Sequence, residues 1–265
     1  FGSSLRAQGY LELLVGCNTV MVFCMCPWQL TPIWQQKGRR CHRRSFLLCQ
    51  SNETESGGGF PNSLSHTAPI TRLELRECME NLADKVEEWP AGSFAYVRLL
   101  QEAPRCSGRV DEMQMLVAGP GAQEKSWHAV AVKTISKSWM KLRPRAFEEA
   151  FPYENERPWH DVGILSELNR RNFPYACDLR GIFRDDANVY VAMSLATEGD
   201  LFSWSSGLPK PGTEREKQLH PIATQVCIAV RWLHDLGIAH RDISVENIVL
   251  TKSESGELQV KLIDF

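Results

Sequence analysis

The chain has 265 residues, 43% of them hydrophobic and 23% charged, which is ordinary for a globular protein able to bury a core. Its formal net charge of −2 exerts no global attraction toward nucleic acid or an anionic membrane, so nucleic acid is not an expected partner. Nine cysteines stand at irregular spacing, without a CxxC pair or a zinc-finger set, which suits reduced thiols in a cytosolic compartment better than a disulfide framework. The start at Phe1 rather than Met, and the end at Phe265 inside a strand–loop junction, read as cuts.

Residues 1–50 form an apolar and basic N-terminal segment. Residues 13–28 are mostly apolar and a basic run, Lys37 to Arg44, follows. Four readings stay open: a short membrane span with a basic flank, a signal-peptide core, a buried segment, or a stretch that is not native. The run falls short of the roughly 20 residues that cross a bilayer. Residues 51–69 are rich in Ser, Gly, Asn and Pro and read as a flexible linker. Within it, Asn52-Glu53-Thr54 matches a glycosylation sequon that only a secreted chain would use.

Over residues 70–89, Leu75, Cys78, Met79, Leu82 and Val86 fall on one helical face, with Thr67 or Thr71 as the cap. The end of this stretch, from Lys85 to Trp89, reads equally as a first strand. Residues 98–128 show no clear period and are expected to be a long surface insertion. Ala129 to Val132 is a short β-type run ending at Lys133. Residues 147–168 read as a helix broken by Pro152 and Pro158, and residues 188–195 as a strand. Residues 221–234 make a helix with Ile222, Val226, Ala229, Val230 and Leu233 on one face, and Gly237 stands where a left-handed cap belongs.

The segment His240-Arg241-Asp242-Ile243-Ser244-Val245-Glu246-Asn247 follows that helix and precedes an apolar run. It resembles the catalytic loop of eukaryotic-type protein kinases, HRDLxxxN. Val260-Lys261-Leu262-Ile263-Asp264-Phe265 is similar to the strand entering the DFG element, and Val130-Ala131-Val132-Lys133 to the VAIK strand. The resemblance covers about residues 84–265. It implies an α+β, two-lobed fold, with a small lobe of antiparallel sheet plus one helix (about 84–193), a hinge (about 194–197) and the start of a helical large lobe (198–265).

The resemblance also implies roles. Asp242 is the base that takes the proton of an incoming hydroxyl, Asn247 and Asp264 hold magnesium, and Lys133 contacts the phosphates of ATP. Asp161 stands where the family carries a glutamate that orients this lysine; one methylene shorter, it pairs only if its helix sits closer. The glycine-rich loop is expected at Ala91-Gly92-Ser93-Phe94-Ala95-Tyr96-Val97, so that Gly92, Ser93, Phe94, Ala95 and Val97 touch the nucleotide, although Pro90 and Ala95 replace two glycines. Ala131 and Met193, the latter at the gatekeeper position, would wall the adenine site; Ser194, Leu195 and Ala196 would offer it backbone groups; Asp200 would meet the ribose.

Ser244 replaces a lysine usual in serine/threonine kinases, whereas Val245-Glu246-Asn247 resembles that group more than tyrosine kinases. The function expected of the complete protein is ATP- and magnesium-dependent phosphorylation of serine or threonine on a protein substrate, with this chain inactive alone. Pro90, Ala95, Asp161 and Ser244 together motivate the alternative, a pseudokinase that binds nucleotide or scaffolds other proteins.

Overall fold

The structure is a computed structural model that describes residues 11–16, 19–24, 68–103, 108–118, 125–253 and 255–265. Strands β1 (Leu11–Gly16) and β2 (Thr19–Cys24) pair antiparallel. Where the apolar run 13–28 overlaps the described residues it is therefore strand, and among the described residues no helix is long and apolar enough to cross a membrane. The basic run, the linker up to residue 67 and its sequon lie outside the described residues.

Helix α1 (Arg72–Asp84) begins at a reciprocal cap: Thr71 accepts from the amide of Glu74 at 3.1 Å, and Glu74 accepts from the amide of Thr71 at 2.8 Å. Thr71 is thus the cap. Past α1 the chain makes a two-residue strand, β3 (Glu87–Glu88), so the stretch is helix and then strand.

Strands β4 (Phe94–Ala103), β5 (Gly108–Ala118) and β6 (Lys125–Ser136) follow as long antiparallel neighbours. This corrects the expectation of an insertion over residues 98–128. Two register shifts in β4, between Tyr96 and Arg98 and between Leu99 and Gln101, interrupt the alternation of faces that would have marked a strand. With β7 (Leu179–Arg184) and β8 (Asn188–Ser194) they form a six-stranded sheet in the order β3-β7-β8-β6-β5-β4. Alternate residues face opposite sides, so Val130, Val132 and Ala192 pack with Phe183 on one face while Ala131, Lys133 and Met193 face the other.

Two short helices, α2 (Lys137–Met140) and α3 (Pro144–Ala150), precede α4 (Pro158–Arg170), and the break predicted at the prolines is real. Pro158 sits at the first helical position, where its missing N–H costs nothing. After β8 come β9 (Gly199–Asp200), α5 (Leu201–Ser206) and α6 (Thr213–Asp235). Helix α6 starts about two turns before Pro221, because its polar first turns carry no apolar period and the proline near its start does not end it. Its buried Ile222, Val226, Ala229 and Leu233 pack under the hairpin of β10 (Ile248–Lys252) and β11 (Leu258–Leu262), whose Leu250, Val260 and Leu262 are also buried. Gly237 has φ 77°, the left-handed cap that the sequence implies. The sheet with α4 makes one lobe and α5, α6 and the hairpin begin the other.

Candidate functional site

The two lobes enclose a cleft of about 500 Å³. Its walls are apolar where Val110, Ala131, Val249 and Leu262 meet, and polar at the inner end. Of the residues singled out from sequence, Ala131, Lys133, Asp161, Met193, Ser194, Leu195, Ala196, Asp200 and Asp264 all line it. Cys177, which sequence reasoning did not single out, also lines it; burial pushes its thiol up to about 11, leaving it a protonated, weakly nucleophilic wall. Asp200 caps α5, accepting from the amide of Ser203 at 2.7 Å, so the same carboxylate starts a helix and faces the cleft.

At the inner end, Lys133 Nζ donates to Asp161 Oδ2 at 3.0 Å and to Asp264 Oδ1 at 2.6 Å. These side chains come from β6, the first turn of α4, and the segment after β11. Burial works against a charged ammonium here; the charges of Asp161 and Asp264 more than offset it and hold the lysine pKa above its ordinary value. The shorter aspartate therefore does reach its partner, because α4 lies close enough to the sheet for the missing methylene not to matter.

The catalytic-loop segment lies below this cluster. Asp242 and Asp264 border one hollow, of about 630 Å³, with Lys133 and Asp161. Asn247 Nδ2 donates to the backbone oxygen of Asp242 at 3.0 Å and to its Oδ2 at 2.9 Å. The amide of Ile263 donates to the backbone oxygen of Asn247 at 3.1 Å, which sets Asp264 beside Asn247. Arg241 and Asp264 hold left-handed φ values of 69° and 59°, a conformation costly for residues other than glycine. Lys141 and Asn172, both at 56°, share it outside these two segments.

His240 anchors the loop from below. It is buried, its Nε2 lies 3.0 Å from the Ile263 oxygen, and its ring meets Phe265 at 5.2 Å. Nδ1 is buried without a partner, which suits an unprotonated nitrogen. Desolvation lowers its pKa, although the Ile263 carbonyl, Asp242 and Asp264 act in the other direction. Because the folded chain favours the neutral ring, this contribution to stability is complete above the ordinary imidazole value of about 6.5 and is lost as pH falls through the lower folded value. Acidification from pH 7 to pH 5 is expected to lower the unfolding free energy more in the unaltered chain than in His240→Gln. Urea titrations at both pH values measure the difference, at most about 1.4 kcal/mol per pH unit.

One expected element is misplaced. Ala91–Ser93 form a single 3-10 turn and Phe94 opens β4, where its ring stacks on Trp89 at 4.3 Å on the face of the sheet away from the cleft. Gly92, Ser93, Phe94, Ala95 and Val97 do not line the cleft, so their reading as a phosphate loop is corrected. The strand residues over the cleft are Arg98, Leu100, Gln101 and Val110, of β4 and β5. Residues 104–107, between these strands, lie outside the described residues. The usable signal was Gly108-Arg109-Val110, a Gly-x-Val ending that precedes the VAIK-like strand by one hairpin.

The donor set fits magnesium with a nucleotide. Asn247 and Asp264 offer two hard oxygen donors, and the hydrogen bonds from Asn247 Nδ2 leave its carboxamide oxygen as the ligand it presents. Among the described residues no cluster of three or more His, Cys, Asp or Glu forms a cage that would hold a metal unaided. Magnesium, which keeps water and phosphate ligands, needs none. The cleft volume is that of a small-molecule site.

Comparison with known proteins agrees. The protein kinase domain family model matches residues 120–265, more than half of the chain. A probable myosin light chain kinase of Dictyostelium discoideum is 29% identical over 149 residues, covering 56% of this chain and 38% of that protein. The probable serine/threonine-protein kinase fhkC of the same organism is 28% identical over 148 residues, 55% of this chain and 22% of that protein. CDPK-related kinase 8 of Arabidopsis thaliana is 34% identical over 143 residues, 54% of this chain and 21% of that protein. The matches thus span between about a fifth and two fifths of the relatives' own lengths. With its α+β lobes, its cleft and its paired catalytic segments, the chain belongs to the protein kinase family.

Proposed function

We propose that this chain supplies the nucleotide cleft and catalytic loop of an ATP- and magnesium-dependent enzyme that phosphorylates serine or threonine hydroxyls of proteins. The observation that carries the reading is one juxtaposition: Lys133, Asp161 and Asp264 meet at the inner end of the cleft, and Asp242, held by Asn247, borders the adjoining hollow with them.

The chain's own groups divide the work. Asp242 is held by Asn247 through one oxygen and takes the proton of the attacking hydroxyl on the carboxylate. Lys133, kept charged by its two carboxylates, orients the phosphates of the substrate ATP. Leu195 and Ala196 border the apolar slot, and Asp200 stands at its mouth for the ribose. Asn247 and Asp264 would hold magnesium, which when bound neutralises phosphate charge. Val245-Glu246-Asn247 and the serine/threonine relative support the hydroxyl class.

One observation favours a second, non-catalytic reading. Where serine/threonine kinases usually carry a lysine beside the transferred group, Ser244 accepts a hydrogen bond from the amide of Asn247 at 3.3 Å and brings no positive charge. Incubating the complete protein with Mg-ATP and a mixed peptide library separates the readings by mass spectrometry. Phosphoserine or phosphothreonine is expected. Phosphotyrosine alone would overturn the hydroxyl class, and Mg-ATP binding without any phosphopeptide would establish the pseudokinase.

A further inference from the structure

Helix α1 and the residues leading into it precede those that the family model matches, yet together they touch both lobes. Its start docks on the large lobe. The amide of Ile70 donates to the oxygen of Leu236 at 2.9 Å, at the end of α6, and Pro69 packs beside Gly237. Its body lies on α4 of the small lobe, where Met79 is 4% exposed. Arg171, just past the end of α4, holds the start of α1: it donates to the Ala68 oxygen at 2.5 Å and lies 3.7 Å from Glu74. Arg76 reaches Glu148 at 3.5 Å, and Arg143 pairs with Asp84, so α3 is joined as well.

The closest approach is at Gly163. A Cβ at this position would stand 2.6 Å from Met79 Cγ and 3.2 Å from Leu75 Cδ1. Glycine inside a helix is unfavourable by itself, and here the absent side chain lets α1 lie directly on the α4 backbone. Asp161 is two residues earlier, about 200° around the helix, so it projects from the side of α4 opposite to α1. The seat of α4 on α1 therefore sets where Asp161 stands relative to Lys133.

We propose that α1 is an intramolecular brace, with Met79 and Gly163 as positioning residues, which holds α4 against the sheet and so maintains the Lys133–Asp161 pair while tying that arrangement to the large lobe. Its nucleotide consequence rests on the kinase reading above; its structural consequence does not.

The test is a size exchange in the full chain. Gly163→Val adds the colliding atoms, and Met79→Ala in the same chain removes the side chain they meet. Amide hydrogen exchange over residues 158–170 reads the position of α4 with no nucleotide present. Gly163→Val is expected to speed exchange in the first turn of α4 about tenfold, and the added Met79→Ala to reverse most of that. Unchanged exchange in α4, or no reversal, overturns the brace.

Calorimetry with Mg-ATP and with adenosine supplies the second reading. Gly163→Val is expected to weaken Mg-ATP about tenfold and to leave adenosine, which lacks phosphates, within about twofold; Met79→Ala restores the first. In an Asp161→Ala background, Gly163→Val is expected to add nothing. Equal weakening of both ligands, or full additivity with Asp161→Ala, would show a general loss of packing and overturn the positioning role. If the unaltered chain binds neither ligand, the kinase reading falls and the hydrogen-exchange result alone decides the brace.

Discussion

Asp242→Asn is expected to lower phosphoryl transfer by the complete protein about 100- to 10,000-fold, the range of a lost general base, while leaving Mg-ATP affinity within about twofold. The substitution is nearly isosteric, so the two hydrogen bonds from Asn247 Nδ2 keep acceptor oxygens on residue 242. It removes the carboxylate proposed to take the hydroxyl proton, and that group makes no hydrogen bond to the Lys133 cluster. A rate that falls with unchanged nucleotide affinity is the signature of an interaction made only in the transition state. Single-turnover measurement beside calorimetric titration checks both halves. Undiminished transfer would remove Asp242 from the chemistry; equal loss of rate and affinity would mean that the loop itself has moved.

Lys133→Met is the second large effect, and it acts on both stability and nucleotide. The side chain is 19% exposed, and its partners Asp161 and Asp264 are 23% and 46% exposed. Removing the ammonium leaves two carboxylates facing each other without a counter-charge. Breaking a fully buried pair costs about 3–5 kcal/mol; water screening at Asp264 reduces this, so about 1–3 kcal/mol is expected here. Because the folded pKa of Lys133 is raised, its contribution is complete below the ordinary lysine value of about 10.4 and fades only as pH climbs past it toward the folded value. The stability deficit of Lys133→Met should thus shrink above that pH, as chemical denaturation across the alkaline range would read. Transfer should fall about 100- to 1,000-fold, the scale of one lost electrostatic contact, now with weakened Mg-ATP binding. That joint loss distinguishes it from Asp242→Asn.

Much of the site was legible because its chemistry is held in short, contiguous segments. His240 to Asn247 carries the residues proposed as base and metal ligand five positions apart, and a single loop places both. The strand that carries Lys133, the apolar face of α6 and the left-handed Gly256, with φ 82°, follow from local period and turn chemistry. The capped start of α1 and the proline break before α4 are equally local.

What the sequence determined by itself was therefore the kind of fold and most of the residues that the cleft brings together, since each is encoded within a few residues. Tertiary structure decided what depends on distance between segments. Residues 91–97 match a glycine-rich pattern, but the pairing of β4 with β5 puts the cleft-covering residues beyond them, at Arg98, Leu100, Gln101 and Val110. The bulges in β4 hid that strand from any test of alternation. Whether Asp161 is long enough depended on how closely α4 approaches the sheet, and that approach is set by a helix more than 75 residues earlier, where Met79 rests on the bare backbone of Gly163. No spacing along the chain records such a contact, because it arises only when separately encoded elements close on one another.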